Sequence, residues 1–137
     1  MQIDAHQHFW HPGRGDYGWM PKDDPILSRP YAPAELWPQL QAAGGEGTVL
    51  VQAAPTIAET EYMLGIADAT PWVRGVVGWI DFEKPTDLAH LNRLAQHPNR
   101  PQPRLGRSRP RFQHPLQVVI QRRQADHHPR QALAGHL

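Results

Sequence analysis

The sequence predicts an α/β fold in which short parallel strands alternate with helices. Strand-like stretches occur at residues 2–9, where side chains alternate, and at 47–54 and 72–80, which are apolar runs, and a stretch with helical spacing follows each of them. This alternation implies parallel βα units with right-handed crossovers. A doubly wound sheet or a barrel could begin this way, although 137 residues are fewer than the about 250 of a complete (β/α)8 barrel.

The first strand, residues 2–9, carries two histidines one residue apart. Side chains alternate between the faces of a strand, so His6 and His8 share a face. A segment rich in Gly, Pro and Asp follows, from His11 to about Arg29, with the composition of turns. Its aromatic residues offer apolar surface to bury, so we expect this long loop to be ordered.

The next unit is a helix followed by a buried strand. Pro33 suits a first helical position, and Leu36, Leu40 and Ala43 form a core-facing stripe. Two glycines then end the helix. The run GTVLVQAA, residues 47–54, is apolar throughout, which is typical of a strand covered on both faces of a parallel sheet.

The second helix begins with the spacing of a capping box. Thr56 and Glu59 stand three residues apart, and the helix continues to about Ala69, with Tyr62, Ile66 and Ala69 on one face.

The third strand, WVRGVVGWI, occupies residues 72–80 and precedes a third helix. That helix begins near Thr86 and places Leu88, Leu91 and Ala95 on its inner stripe.

The composition changes sharply after His97. Up to that residue the chain has 6 Lys and Arg against 12 Asp and Glu, whereas residues 98–137 hold 8 Arg and one acid. The sequence therefore predicts a domain over 1–97 and an irregular Arg- and Pro-rich tail over 98–137, either disordered or the product of a frameshift. The short apolar cluster Leu116 to Ile120 is too small to predict another buried βα unit.

Composition also restricts the class of function. The chain has no cysteine, so a transition-metal site must use His, Asp or Glu. We expect a cytoplasmic protein without membrane association, because no apolar run approaches about 20 residues and no secretory signal is visible. The arginines of the tail lack interleaved aromatic residues and a binding motif, so nucleic-acid binding is not favoured.

Five segments in order resemble the amidohydrolase superfamily, in particular the amidohydrolase-2 group of L-fuconolactonase-like and related sugar-lactone hydrolases. The segments are IDAHQHFW, YGWM, LSRPYAPAELWPQL, GTVLVQAAPTIAET and VRGVVGWIDF. The resemblance covers residues 1 to about 97. It implies the first three βα units of a (β/α)8 barrel, truncated before the fourth.

The same resemblance implies hydrolysis of a sugar lactone or related cyclic ester, a small-molecule substrate. His6 and His8 would be ligands of a divalent metal such as Zn²⁺, or would bind the lactone carbonyl without a metal. On spacing alone, two ordinary polar residues at a strand end are the favoured interpretation of the pair.

Further candidate substrate-binding residues lie where barrel active sites form, at the carboxyl ends of strands. Gln52 lies near the carboxyl end of the second strand, and Trp79 and Asp81 lie at the carboxyl end of the third. Each has a structural alternative, respectively a hydrogen-bonded core amide, a packing residue and a turn residue. Tyr17 and Trp19 would stack on a sugar-like ring or pin the loop to the sheet.

A truncated barrel would leave two sheet edges and an apolar face uncovered. We therefore expect this chain to be inactive or weakly active. The alternative function class is a non-enzymatic fragment that is unstable, or that associates with itself or with another chain through these edges.

Overall fold

A computed structural model describes residues 2–95, residue 97 and the backbone of residues 117–121. Strands and helices alternate along the chain, as the sequence predicts, with a short 3-10 turn at Pro12–Arg14. The elements are β1 Ile3–Gln7, α1 Pro33–Ala42, β2 Gly47–Val51, α2 Ile57–Ala69, β3 Val73–Trp79, α3 Pro85–Ala95 and β4 Gln117–Gln121.

All strands of the sheet are parallel and lie in the order β1-β2-β3-β4. The register shifts between Asp4 and Gln7 of β1 and again between Thr48 and Val49 of β2. Because every strand runs the same way, their carboxyl ends lie at one edge of the sheet.

One segment of the tail, β4, is a strand, whereas the sequence predicts an irregular tail. There, residues Gln117–Gln121 pair in unbroken parallel register with Gly75–Trp79 of β3. The β-branched run Val118 to Ile120 has the strand propensity for this pairing. The low apolar content of this segment predicts only that it is not buried. Strand pairing depends instead on the edge of β3, which is far away in sequence, so the expectation of an irregular segment was wrong here. The other calls on residues 98–137 lie outside the described residues.

The core lies between the helices and one face of the sheet. It contains Phe9, Leu50, Met63, Leu64, Ala67, Val73, Val76 and Leu94. Two predicted stripes were off by one position. In α2 the buried residues are Glu59, Thr60, Met63, Leu64 and Ala67, while Ala69 is exposed. In α3 Leu94 is buried and Leu88 is 42% exposed.

Helix α1 ends as its two glycines predict. Gly44 adopts φ +76°, the left-handed conformation that glycine accepts without steric cost. The Gly45 amide then donates to the carbonyl of Leu40, and the Gly44 amide donates to Gln41, which together form a Schellman motif.

The long loop after β1 is ordered and tied at both ends. Trp10 and Tyr31 form an antiparallel bridge, and the Trp10 indole donates to the carbonyls of Leu27 and Arg29. The ring of Trp10 also contacts Trp19 edge to face, with centroids 6.2 Å apart. These contacts hold the loop against the carboxyl edge of the sheet. None of the helices in the described ranges is long and apolar enough to cross a membrane.

Candidate active site

His6, in β1, and His8, one residue beyond its end, meet in space. Their Nε2 atoms lie 3.0 Å apart, and the rings pack edge to face with centroids 4.8 Å apart. His6 is exposed and His8 is half-buried, so the pair is open to solvent at the carboxyl end of β1. The convergence follows from the two-residue spacing on one strand face.

A neighbouring strand fixes the orientation of His8. Its Nδ1 lies 2.9 Å from the carbonyl oxygen of Val51, at the end of β2. A carbonyl only accepts, so Nδ1 carries the proton and the neutral ring has a lone pair on Nε2. His6 must then donate through its own Nε2 to His8.

This arrangement suits a metal ion in part. Two imidazole nitrogens bound to one zinc at about 2.1 Å in tetrahedral geometry are about 3.4 Å apart, close to the separation found here. A carbonyl on the far nitrogen is the usual means of orienting a ligating histidine. The described residues offer no group of three or more ligating side chains. His6 and His8 could therefore supply two ligands, whereas a catalytic zinc site takes three protein ligands.

The end of β2 brings two more predicted residues to the same edge. Gln52 is half-buried, and its backbone N–H donates to the carbonyl of Val77 at 2.9 Å. Trp19 is 50% exposed, and its indole donates to the carbonyl of Ala53 at 2.7 Å. Trp19 is thus an exposed aromatic surface held in place beside the segment that orients His8.

Tyr17 lies deeper than Trp19 and pins the loop. It is only 6% exposed, and its hydroxyl donates to Glu59 at 2.9 Å. Burial, together with the hydrogen bond to Glu59, raises the pKa of the Tyr17 phenol. The phenol therefore stays protonated and keeps donating.

Trp79 and Asp81 lie at the carboxyl end of β3, where the sequence places them, and both are engaged locally. Trp79 is 8% exposed, with its backbone bound to the hydroxyl of Thr60. Asp81 accepts from the amide of Glu83 and lies 3.7 Å from the Lys84 ammonium, as in a turn.

Glu59 is a residue of this region that the sequence interpretation assigned only to a helix cap. The Thr56 side chain does accept from the Glu59 amide at 3.0 Å, but the carboxylate does not return to Thr56. It lies fully buried and accepts from Tyr17 and from the amide of Ala53 at 3.3 Å. The available signal was the position of Glu59 four residues before Met63, on the buried stripe of α2.

Burial raises the pKa of the Glu59 carboxyl, while the bonds from Tyr17 and Ala53 and the charge of Arg14 oppose the rise. The Arg14 Nε lies 3.7 Å from the carboxylate, and its guanidinium stacks 4.3 Å above the ring of Tyr62. The loop is thus joined to α2 by a buried acid with partners on both oxygens.

Fold and site together define a class of protein. A parallel βα sheet that presents paired imidazoles at the carboxyl end of its first strand is typical of enzymes whose active sites form at that edge. A backbone carbonyl bonded to the far ring nitrogen, as at His8, is typical of histidines that bind metals.

Comparison with known proteins makes the class specific. The chain is 41% identical over 96 residues to an L-fucono-1,5-lactonase of Burkholderia ambifaria, and 35% identical over 85 residues to one of Burkholderia multivorans. The matched parts are 68% and 62% of this chain but 33% and 29% of those proteins. This chain therefore spans about a third of the length of the curated relatives that it matches. No protein-family model matches the chain.

Solved structures give the same result. Two structures of an amidohydrolase from Burkholderia multivorans, one with bound zinc and one with bound HEPES, match with TM-scores of 0.60 and 0.62. Their sequence identities are 35% and 34%, over 70% and 72% of this chain and 33% of theirs. In its N-terminal part, this chain is thus similar to L-fucono-1,5-lactonases and to an amidohydrolase, over about a third of their length.

Proposed function

We propose that the chain is the N-terminal part of a (β/α)8-barrel hydrolase that opens a sugar lactone, of the kind named for its relatives. The homologues support a lactonase-type hydrolase. The observation that carries the proposal is the meeting of His6 and His8, Nε2 to Nε2, at the carboxyl end of β1. The domain over 1–97 would hold His6 and His8, and residues 98–137 would form the Arg- and Pro-rich tail.

His6 and His8 would bind a divalent ion together with ligands outside the described residues. The zinc bound to the related amidohydrolase supports a metal of this kind. A bound divalent ion supplies Lewis-acid polarisation of a carbonyl. Without a metal, the Nε2 proton of His6 would be donated to the lactone carbonyl instead of to His8. In both cases Val51 holds His8 in the tautomer that directs Nε2 outward.

Trp19 would provide the stacking surface for the lactone ring. It is half-exposed, and the bond to Ala53 removes the freedom of its indole. Gln52, Trp79 and Asp81 would form the adjacent rim, and Tyr17 would stabilise the loop from below. The outer edges of the sheet, at β1 and β4, have no further strand paired to them within the described ranges. We therefore expect the chain by itself to turn over lactones weakly or not at all.

The experiment is an initial-rate measurement on the purified chain with L-fucono-1,5-lactone and a panel of other sugar lactones, with and without added Zn²⁺. Acid release is followed with a pH indicator and corrected for spontaneous hydrolysis. Activity that disappears in His6→Ala and His8→Ala, but persists in His90→Ala, would support the proposal. Equal rates in all three variants would contradict it.

A second function is favoured by the edges of the sheet. The outer sides of β1 and β4 have no strand partner in the part of the chain that is described. Unpaired edges are templates for pairing with another chain. A non-enzymatic fragment that associates through them would show a concentration-dependent mass in light scattering and no lactone turnover.

The abrupt change in composition after His97 supports a further hypothesis, a shift of reading frame near codons 98–104. Resequencing this region would test it. An intact frame that encodes this chain in independent isolates would contradict it. We also propose a cytoplasmic location.

A further inference from the structure

A three-residue segment at the end of β2 connects the groups of the candidate site. The carbonyl of Val51 orients His8 at 2.9 Å, and the carbonyl of Ala53 holds the indole of Trp19 at 2.7 Å. Only Gln52 separates these two residues. Any displacement of this segment therefore moves an imidazole and the aromatic surface together.

Glu59 is the side chain that holds the segment from below. Its Oε1 accepts from the Ala53 amide at 3.3 Å, and its Oε2 accepts from the Tyr17 hydroxyl at 2.9 Å. The residue is 0% exposed and lies in the first turn of α2, where its own amide bonds to Thr56. The carboxylate is therefore fixed by its backbone and by a partner on each oxygen.

These contacts do more than begin a helix. An N-terminal acid is stabilising at the surface through the helix dipole alone. Glu59 instead bears the cost of burial, which a polar group recovers only through its hydrogen bonds. Both groups that donate to Glu59 are linked to the site. Ala53 accepts from the indole of Trp19, and Tyr17 belongs to the same loop as Trp19.

We propose that Glu59 is a positioning residue, which sets the Val51–Ala53 segment so that His8 and Trp19 keep their orientations. The inference rests on the proposed function only in that His8 and Trp19 are taken as its site residues. The reach of the side chain, rather than its charge, performs this role, because one carboxylate must span Ala53 and Tyr17.

Three variants of the full chain separate reach, charge and helix capping. Glu59→Asp keeps the charge and shortens the side chain by one methylene, about 1.5 Å. Glu59→Gln keeps the length and removes the charge, since its amide oxygen can accept from Ala53 while its NH2 donates to the Tyr17 oxygen. Thr56→Ala removes the cap of α2 and leaves the carboxylate in place.

Two NMR readouts report on the site without any ligand. Hydrogen exchange of the Trp19 indole N–H, assigned with Trp19→Phe, reports its bond to Ala53. Long-range ¹H–¹⁵N correlations report the tautomer of His8. For Glu59→Asp we expect a mixed His8 tautomer and at least about tenfold faster indole exchange, the change that follows when a typical hydrogen bond is lost. For Glu59→Gln and Thr56→Ala we expect exchange within twofold of the unmodified chain and an unchanged tautomer.

The proposal would be overturned if the Trp19 indole of Glu59→Asp exchanged within twofold of the unmodified chain. It would also be overturned if Thr56→Ala accelerated this exchange as much as Glu59→Asp does. If Glu59→Asp loses its near-UV circular dichroism, Glu59→Gln decides: unchanged exchange supports positioning by reach, and a tenfold rise overturns it. Neither readout needs a metal or a lactone. The result of a lactone assay therefore bears only on the proposed function, and the two NMR readouts bear only on this role of Glu59.

Discussion

Replacement of Thr60 by valine tests how α2 is fixed to the end of β3. The Thr60 hydroxyl is fully buried, accepts from the Trp79 amide at 2.8 Å and donates to the Trp79 carbonyl at 3.1 Å. Valine has the same shape but no hydroxyl, so Thr60→Val leaves a buried N–H and a buried C=O without this partner. A buried group that loses its partner costs about 1–3 kcal/mol, so we expect a loss of about 2–4 kcal/mol in the free energy of unfolding.

The matched control is Thr60→Ser, which keeps the hydroxyl and removes one methyl group, at a cost of about 1 kcal/mol. Urea denaturation followed by circular dichroism measures both variants, and an unchanged m-value shows that the same surface is exposed on unfolding. The reasoning is refuted if Thr60→Val is within about 0.5 kcal/mol of the unmodified chain, or if the serine variant loses as much as the valine variant.

Three further predictions concern the same region. Gly78→Ala should lower the free energy of unfolding by about 1–3 kcal/mol, because the new Cβ would contact Thr60 Cγ2 and lie 2.9 Å from its Oγ1; an unchanged thermal midpoint would contradict this. Burial raises the pKa of Glu59 in the folded state. The contribution of Glu59 to the free energy of unfolding is therefore present below the ordinary carboxyl pKa of about 4.3 and is lost as pH rises through the raised value. The stability of the unmodified chain relative to Glu59→Gln should therefore fall over that range in urea titrations, and a constant difference would exclude the effect. Trp19→Ala should raise the KM of any measured lactone hydrolysis more than it lowers kcat, and an unchanged KM would remove Trp19 from the substrate surface.

The order of elements was predictable because each carries a local signal. Thr56 begins α2 and accepts from Glu59, and Gly44 ends α1 with positive φ. The spacing of His6 and His8 predicted a shared face, whereas their contact also depends on the Val51 carbonyl that orients His8.

Details that depend on tertiary contacts were not predictable in this way. Helical periodicity alone did not select Leu94 over Leu88 as the buried residue of α3, since the sheet decides which face is covered. Glu59 has the spacing of a cap, but its partners Tyr17 and Ala53 come from other elements. The strand β4 was missed because its partner, β3, is distant in sequence.

The most direct test of the site is a Zn²⁺ titration of the chain, followed through the imidazole NMR signals of its nine histidines. The account predicts that His6 and His8 shift together at one equivalent, and that His8→Ala weakens binding at least about tenfold while His90→Ala does not. Shifts confined to other histidines, or equal affinity in His8→Ala, would contradict the claim that His6 and His8 form a metal-binding pair.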